Sequence, residues 1–127
     1  MKRYIYKQLL AWKNEKEHKP LILNGARQVG KTYILREFGR NEYKRMAFFS
    51  LDRDQKALEI FNKGGRATDM LMALSAICHE DITPHDTLVV LDEIQNCPKA
   101  LEALKFFCEE TPEIDIVVAG SLLGLSI

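Results

Sequence analysis

The chain has 127 residues, of which 46% are hydrophobic and 28% are charged. Its 18 lysine and arginine residues balance its 18 aspartate and glutamate residues, so the formal net charge is zero. This composition is typical of one globular domain and excludes a disordered chain. The charge balance also excludes a chain-wide basic field that would attract nucleic acid.

The cysteines and the apolar stretches indicate where the protein resides. Cys78, Cys97 and Cys108 form no CxxC pair, which favours reduced thiols in the cytosol over a disulfide framework or a zinc site. No apolar stretch has the length of a membrane span, and the basic N-terminus lacks the apolar core of a signal peptide. We expect a cytoplasmic protein that makes no membrane contact.

Hydrophobic periodicity predicts that helices and strands alternate along the chain. An amphipathic helix is predicted at about residues 3–16, with Ile5, Leu9 and Trp12 on one face. Short apolar runs predict buried strands at residues 20–23, 46–51, 87–91 and 115–119. Further helices are predicted at residues 31–38, 55–62, 68–79 and from 98 up to 111. Such strands alternating with helices predict an α/β fold with a parallel sheet covered on both faces.

Glycine, proline and capping residues set the expected helix boundaries. Gly39 is expected to stop the second helix, and Gly64 and its neighbour Gly65 to end the third. Thr68 is a candidate N-cap for the fourth helix, and Pro98 suits the first turn of the fifth.

Residues 25–32, GARQVGKT, match the phosphate-binding pattern GxxxxGK[ST] without departure. Glycines let the backbone curl so that successive N–H groups point at one anion. Lys31 is expected to reach the β- and γ-phosphates of a nucleotide, and the Thr32 hydroxyl to bind Mg²⁺. The predicted nucleotide-binding residues are Gly25, Ala26, Arg27, Gln28, Val29, Gly30, Lys31 and Thr32.

Two acidic residues and a serine follow later strands. Asp92 and Glu93 come directly after strand 87–91, and ligands of open α/β sheets bind at the carboxyl ends of the strands. Asp92 is therefore a candidate Mg²⁺ ligand, directly or through water, and Glu93 a candidate to polarise an attacking water. Ser121 could touch the γ-phosphate or that water, although a serine in a glycine-rich turn is the alternative. The candidate catalytic residues are Glu93, Lys31 and Ser121.

These segments together resemble ATPases of the AAA+ superfamily and their archaeal-type relatives. The resemblance is closest to a family of prokaryotic ATPases with an unassigned C-terminal domain, and it is carried by residues 23–32, 91–95 and 119–121. It implies a three-layer P-loop core whose sheet order is strand 20–23, strand 115–119, strand 87–91 and strand 46–51. It also implies a phosphate loop at Gly25 to Thr32, a metal aspartate at Asp92, a catalytic glutamate at Glu93 and a sensor at Ser121.

The sequence also departs from this family. Two leucines follow Ser121 where many members carry further serines, and no residue matches an arginine that acts on the γ-phosphate. We expect residues 1–127 to be one N-terminal ATPase domain, cut before the final strand and the lid, and weakly active by itself. Strand 20–23 would then have an open edge, which favours self-association or a homo-oligomer. Nucleic acid would be contacted only through missing regions.

The expected function is ATP binding and Mg²⁺-dependent ATP hydrolysis, coupled to a conformational change in a missing C-terminal domain or a partner. A non-hydrolysing ATP-gated switch or scaffold would share every binding residue. A small-molecule kinase also uses this loop but has less need for the carboxylates of Asp92 and Glu93. A GTPase usually carries an NKxD motif, which this sequence lacks. The loop binds the phosphates of a nucleotide, so it does not specify which base is bound.

Overall fold

The structure, a computed structural model, describes residues 2–15, 19–24 and 31–121. Helices and strands follow one another in the predicted order, and most boundaries agree within two residues. The helices are α1 (Lys2–Asn14), α2 (Lys31–Glu42), α3 (Gln55–Lys63), α4 (Ala67–Cys78) and α5 (Pro98–Glu110), with a 3-10 turn at Ile94–Asn96. The strands are β1 (Leu21–Asn24), β2 (Arg45–Ser50), β3 (Thr87–Asp92) and β4 (Asp115–Gly120).

The four strands form one parallel sheet in the order β1-β4-β3-β2. This confirms both the parallel sheet and the strand order that the family resemblance implied. The two central strands, β3 and β4, are buried at every residue, which explains why they contain few polar residues. The sheet is the rigid frame from which the loops of the site extend.

Helices cover both faces of the sheet and confirm the three-layer architecture. Along β3, Leu88 and Val90 pack into the core beneath α1 and α2, whereas Val89 and Leu91 pack into the core beneath α3, α4 and α5. This alternation follows from the two-residue period of a strand. The chain moves outward from β1 to β2 through α2, then returns through β3 to β4. Right-handed crossovers place helices on opposite faces when the direction reverses in this way.

Gly39 does not end α2, so that prediction was wrong. The helix continues to Glu42, and Gly39 is buried within it. A Cβ atom at Gly39 would lie 2.5 Å from the Met46 sulfur and 3.4 Å from a methyl carbon of Leu88. The glycine therefore allows α2 to approach the sheet closely, and this packing outweighs its intrinsic cost in a helix of about 1 kcal/mol.

Thr68 is not the N-cap of α4, which is a second correction. The helix begins at Ala67, and Arg66 occupies the N-cap position without a side-chain capping bond. The N–H of Ala67 instead donates to Oε1 of Glu110, at the end of α5, at 3.1 Å. A tertiary contact thus satisfies one of the N–H groups that have no partner within the helix.

Among the helices of the described residues, none combines the length and the apolar composition that crossing a bilayer requires.

Candidate functional site

All four strands end at the same edge of the sheet, because the sheet is parallel. Asn24 at the end of β1 pairs with Gly120 of β4, and Ser50 at the end of β2 pairs with Asp92 of β3. The helix after β1 covers one face of the sheet and the helix after β3 covers the other. Where the helices that follow neighbouring strands cover opposite faces in this way, ligands of open α/β sheets bind outside the carboxyl ends of the strands.

The phosphate motif lies between β1 and α2 at this edge. Its first six residues, Gly25, Ala26, Arg27, Gln28, Val29 and Gly30, lie outside the described residues. The strand before them and the helix after them are both present, so the motif has the strand–loop–helix setting that its chemistry needs.

Lys31 is the first residue of α2 and is half-buried. The unpaired N–H groups at the start of a helix, together with the positive end of its dipole, favour a bound anion. The first turn of α2 contains no acidic residue that would oppose this effect. The start of α2 is therefore suited to receive phosphate.

Thr32 and Asp92, the two predicted metal ligands, lie in contact although 60 residues separate them in sequence. The Thr32 hydroxyl donates to Oδ2 of Asp92 at 3.2 Å. A Mg²⁺ ion that bound both oxygens at about 2.1 Å in octahedral geometry would hold them about 3 Å apart. The observed spacing of the two oxygens fits such an ion.

The surroundings of Asp92 also fit magnesium. Its side chain is 8% exposed, and its Oδ1 accepts the backbone N–H of Glu93 at 2.9 Å. Within the described part of the chain, no group of three or more histidine, cysteine or acidic side chains could hold a metal. Magnesium commonly binds one or two protein oxygens and takes its other ligands from water and phosphate, which suits this arrangement.

Glu93 follows β3 in a left-handed backbone conformation, with φ 55° and ψ 47°. A non-glycine residue in this region carries a cost of about 1–2 kcal/mol, and such residues cluster at functional sites. The 3-10 turn that follows is closed by the N–H of Asn96, which donates to the carbonyl of Glu93 at 3.1 Å. The half-buried carboxylate of Glu93 is chemically able to accept a proton from water.

Ser121 follows β4 and lies close to the segment that carries Glu93. Its backbone N–H donates to Oε1 of Gln95 at 3.1 Å, and Nε2 of Gln95 donates to Oε1 of Glu93 at 3.0 Å. No separate role for Gln95 was predicted from the sequence, although Gln95 lies within the segment that resembles the family. Only the packing of β4 beside β3 reveals the contact of Gln95 with Ser121, whereas Glu93 lies two residues before Gln95 on the same segment.

Gly120 makes this close approach possible. Its φ is 154°, a value that side-chain-bearing residues rarely adopt. A Cβ atom at Gly120 would overlap Oε1 of Gln95 and come within 2.9 Å of the backbone nitrogen of Ile94. A glycine is therefore required where the end of β4 meets the turn after β3.

Comparison with known proteins agrees with this architecture. A family model described as "AAA domain" matches residues 17–127. A structure of C. elegans PCH-2 is similar, with a TM-score of 0.56 and 12% sequence identity over 99% of this chain. The matched region is 39% of the PCH-2 chain, and at this identity the similarity concerns the fold alone.

A comparison with curated proteins gave no significant match. The family model, in contrast, covers most of the sequence, including the acidic pair and the strand that precedes Ser121. The described strands and helices have the order and the topology of a P-loop ATPase core. This chain therefore belongs to the AAA domain family, as a P-loop ATPase domain of the AAA type.

Proposed function

We propose that this domain binds ATP with Mg²⁺ and hydrolyses it. Membership of the AAA domain family supports ATP binding and hydrolysis in general. The observation that carries the specific proposal is the 3.2 Å contact between Thr32 Oγ1 and Asp92 Oδ2. It joins the last residue of the phosphate motif to the acidic pair at the end of β3, which is the juxtaposition that a metal-bound nucleotide needs.

Each side chain of the site has a distinct role in this proposal. The backbone of residues 25–30 and the ammonium group of Lys31 bind the phosphates. Thr32 and Asp92 hold Mg²⁺, which supplies positive charge against the phosphate oxygens when it is bound. Glu93 orients and polarises the attacking water, and Ser121 contacts the γ-phosphate or that water.

We also propose that the nucleotide state reaches a further domain or a partner as a conformational change. The contact between Ser121 and the turn that carries Glu93 supports a route from the site to the end of β4. The same proposal includes self-association through β1. That strand pairs with β4, and within the described residues no strand pairs with its other side. Size-exclusion chromatography with light scattering tests this part, and a monomer at all concentrations would contradict it.

Replacing Lys31 with alanine tests nucleotide binding. Hydrogen bonds to charged groups contribute about 1.5–3 kcal/mol each, so losing two should weaken ATP binding about a hundredfold or more. Titration with a fluorescent ATP analogue measures the dissociation constant. Lys99→Ala is the matched control, because Lys99 is exposed on α5. An unchanged dissociation constant in Lys31→Ala would contradict the assignment of Lys31 to phosphate binding. If the wild-type domain bound ATP but released no phosphate, a switch or scaffold role would replace hydrolysis.

A further inference from the structure

The side-chain amide of Gln95 bridges two segments at the carboxyl edge of the sheet. Its Nε2 donates to Oε1 of Glu93 at 3.0 Å, and its Oε1 accepts the backbone N–H of Ser121 at 3.1 Å. Glu93 lies on the segment after β3, whereas Ser121 follows β4 and is 26 residues from Gln95 in sequence. One carboxamide group thus joins the proposed catalytic base to the strand that precedes the proposed sensor.

The chemistry of the two partners fixes the orientation of this amide. A carboxylate only accepts hydrogen bonds, so the NH₂ group of Gln95 must face Glu93. A backbone N–H only donates, so the carbonyl oxygen of Gln95 must face Ser121. A carboxamide supplies both a donor and an acceptor, whereas a carboxylate or an ammonium group at position 95 would lose one of the two bonds.

The backbone around Gln95 is held on both sides. Within the 3-10 turn, the N–H of Cys97 donates to the carbonyl of Ile94 at 3.0 Å, and the side chain of Ile94 is fully buried. On the opposite side, Gly120 provides the space that the Gln95 carbonyl occupies. A side chain on such an anchored turn can orient a neighbour more precisely than one on a free loop.

We infer that Gln95 is a positioning residue for ATP hydrolysis, which holds the carboxylate of Glu93 and links its orientation to the end of β4. The inference rests on the proposed function, because it presupposes that Glu93 acts on water. Gln95 itself touches neither the phosphate motif nor the two proposed metal ligands in any contact of the described residues. A shift of Ser121 on contact with phosphate would be transmitted through the amide to the carboxylate of Glu93.

Two substitutions separate the two hydrogen bonds. Gln95→Met has a similar length and removes both the donor and the acceptor. Gln95→Glu keeps an acceptor for Ser121 but replaces the donor with a negative charge beside Glu93. Asn96→Ala is the matched control, because Asn96 is the exposed next residue of the same turn.

Steady-state phosphate release gives the first measurement. We expect both Gln95 variants to lower kcat by about 10- to 100-fold, which is typical of losing a group that orients a catalytic residue. The KM for ATP should stay within about twofold of wild type, since the ground-state contacts to ATP are unchanged. Asn96→Ala should match wild type. In a Glu93→Gln background, Gln95→Met should cause no further loss, because both changes remove the same function.

Hydrogen exchange of the Ser121 amide, followed by NMR, gives a readout that does not depend on turnover. The exchange should accelerate in Gln95→Met, which lacks the acceptor, and remain slow in Gln95→Glu, which keeps it. Low kcat in both variants, with Ser121 protected only in Gln95→Glu, would assign the rate effect to the bond with Glu93. Unchanged exchange in Gln95→Met would overturn the link to β4.

The possible failures are distinguishable. If Glu93→Gln stops turnover while both Gln95 variants keep the wild-type kcat, the inference is overturned and the proposed function stands. If Glu93→Gln keeps wild-type turnover, or if the wild-type chain releases no phosphate, the proposed hydrolysis is overturned first. Thermal melting checks that each variant is folded. If Gln95→Met does not fold, the kcat of Gln95→Glu alone tests the inference.

Discussion

The two ends of the parallel sheet both carry a carboxylate at a strand terminus, in very different settings. At the carboxyl end, Asp92 is the last residue of β3 and lies in contact with Thr32 of the phosphate motif, and Glu93 follows it. At the amino end, Asp115 begins β4 and is 1% exposed. The Tyr43 hydroxyl donates to Oδ2 of Asp115 at 2.6 Å, and Nδ1 of His85 lies 3.6 Å from Oδ1 of Asp115.

The amino end is a network that closes the bottom of the sheet. Arg45 at the start of β2 donates through Nη2 to the Thr83 hydroxyl at 2.7 Å and through Nε to the carbonyl of Asp81 at 3.1 Å. The hydroxyl of Thr87, at the start of β3, also donates to the Asp81 carbonyl, at 2.7 Å. These bonds tie the loop before β3 to the strands.

This comparison teaches that burial and backbone strain do not by themselves identify a functional site. Asp115 is more buried than Asp92, which is 8% exposed. His85, with φ 63°, is left-handed at the amino end just as Glu93 is at the carboxyl end. What distinguishes the two ends is strand direction, because helix starts and strand-end loops converge on a ligand only at the carboxyl edge.

Removing the charge of Glu93 should give the largest effect and the sharpest contrast between the two ends. Glu93→Gln preserves shape but loses the base, so we expect phosphate release to fall by about 10²- to 10⁴-fold. The free energy of unfolding should change by no more than about 0.5 kcal/mol, as for most substitutions outside the core. Phosphate release and urea unfolding measure the two quantities, and wild-type turnover would exclude Glu93 as the base.

The equivalent change at the amino end should affect stability instead. Asp115→Asn weakens the hydrogen bond from the Tyr43 hydroxyl and removes the negative charge that lies 3.6 Å from Nδ1 of His85. A hydrogen bond to a charged group contributes about 1.5–3 kcal/mol. We expect the free energy of unfolding to fall by about 2 kcal/mol, measured in urea, while the affinity for a fluorescent ATP analogue stays constant. If Asp115→Asn instead lost affinity for the ATP analogue and kept its stability, nucleotide binding would involve the amino end of the sheet, which would contradict the proposal.

Gly120→Ala tests the close contact between β4 and the turn after β3. The strained φ, added to the overlap with Gln95, should cost about 2 kcal/mol of unfolding free energy. Gly65→Ala is the matched control, because Gly65 has φ 113° but no atom within 4 Å of an added Cβ. Equal melting temperatures of the two variants would mean that the packing against Gln95 contributes nothing beyond backbone strain.

Tyr43→Phe should have the smallest effect and a distinctive pH dependence. Burial, foremost, raises the pKa of Tyr43 well above its ordinary value, helped by the hydrogen bond to Asp115 and by the charges of Asp115 and Glu42. Folding therefore favours the neutral phenol. Its stabilising contribution is complete below about pH 10, the ordinary tyrosine pKa, and is lost progressively as the pH rises above it.

Urea unfolding at about pH 8 and about pH 11, on either side of the ordinary tyrosine pKa, measures this contribution. At the lower pH, Tyr43→Phe should lose about 1 kcal/mol, the typical net value of one hydrogen bond. At the higher pH the difference between wild type and the variant should shrink, because wild type loses the tyrosine contribution and phenylalanine cannot ionise. A constant difference at both pH values would show that Tyr43 does not ionise with unfolding.

The sequence by itself determined the local features of this protein. The period of apolar residues separated strands from helices, since each side chain must reach the core from its own backbone geometry. The strand before Gly25 and the helix after it, and the acidic pair at the end of β3, were predicted correctly for the same reason. The order of the strands came from the family resemblance, because no local pattern states which strands are neighbours.

Only the tertiary structure decided the features that depend on distances between remote residues. Gly39 lies inside α2 because the helix packs closely against Met46 and Leu88. The first N–H group of α4, that of Ala67, finds its acceptor in Glu110. Gln95 gains Ser121 as a partner only once β4 lies beside β3. Such contacts form between segments that approach through folding, so no spacing along the chain encodes them individually.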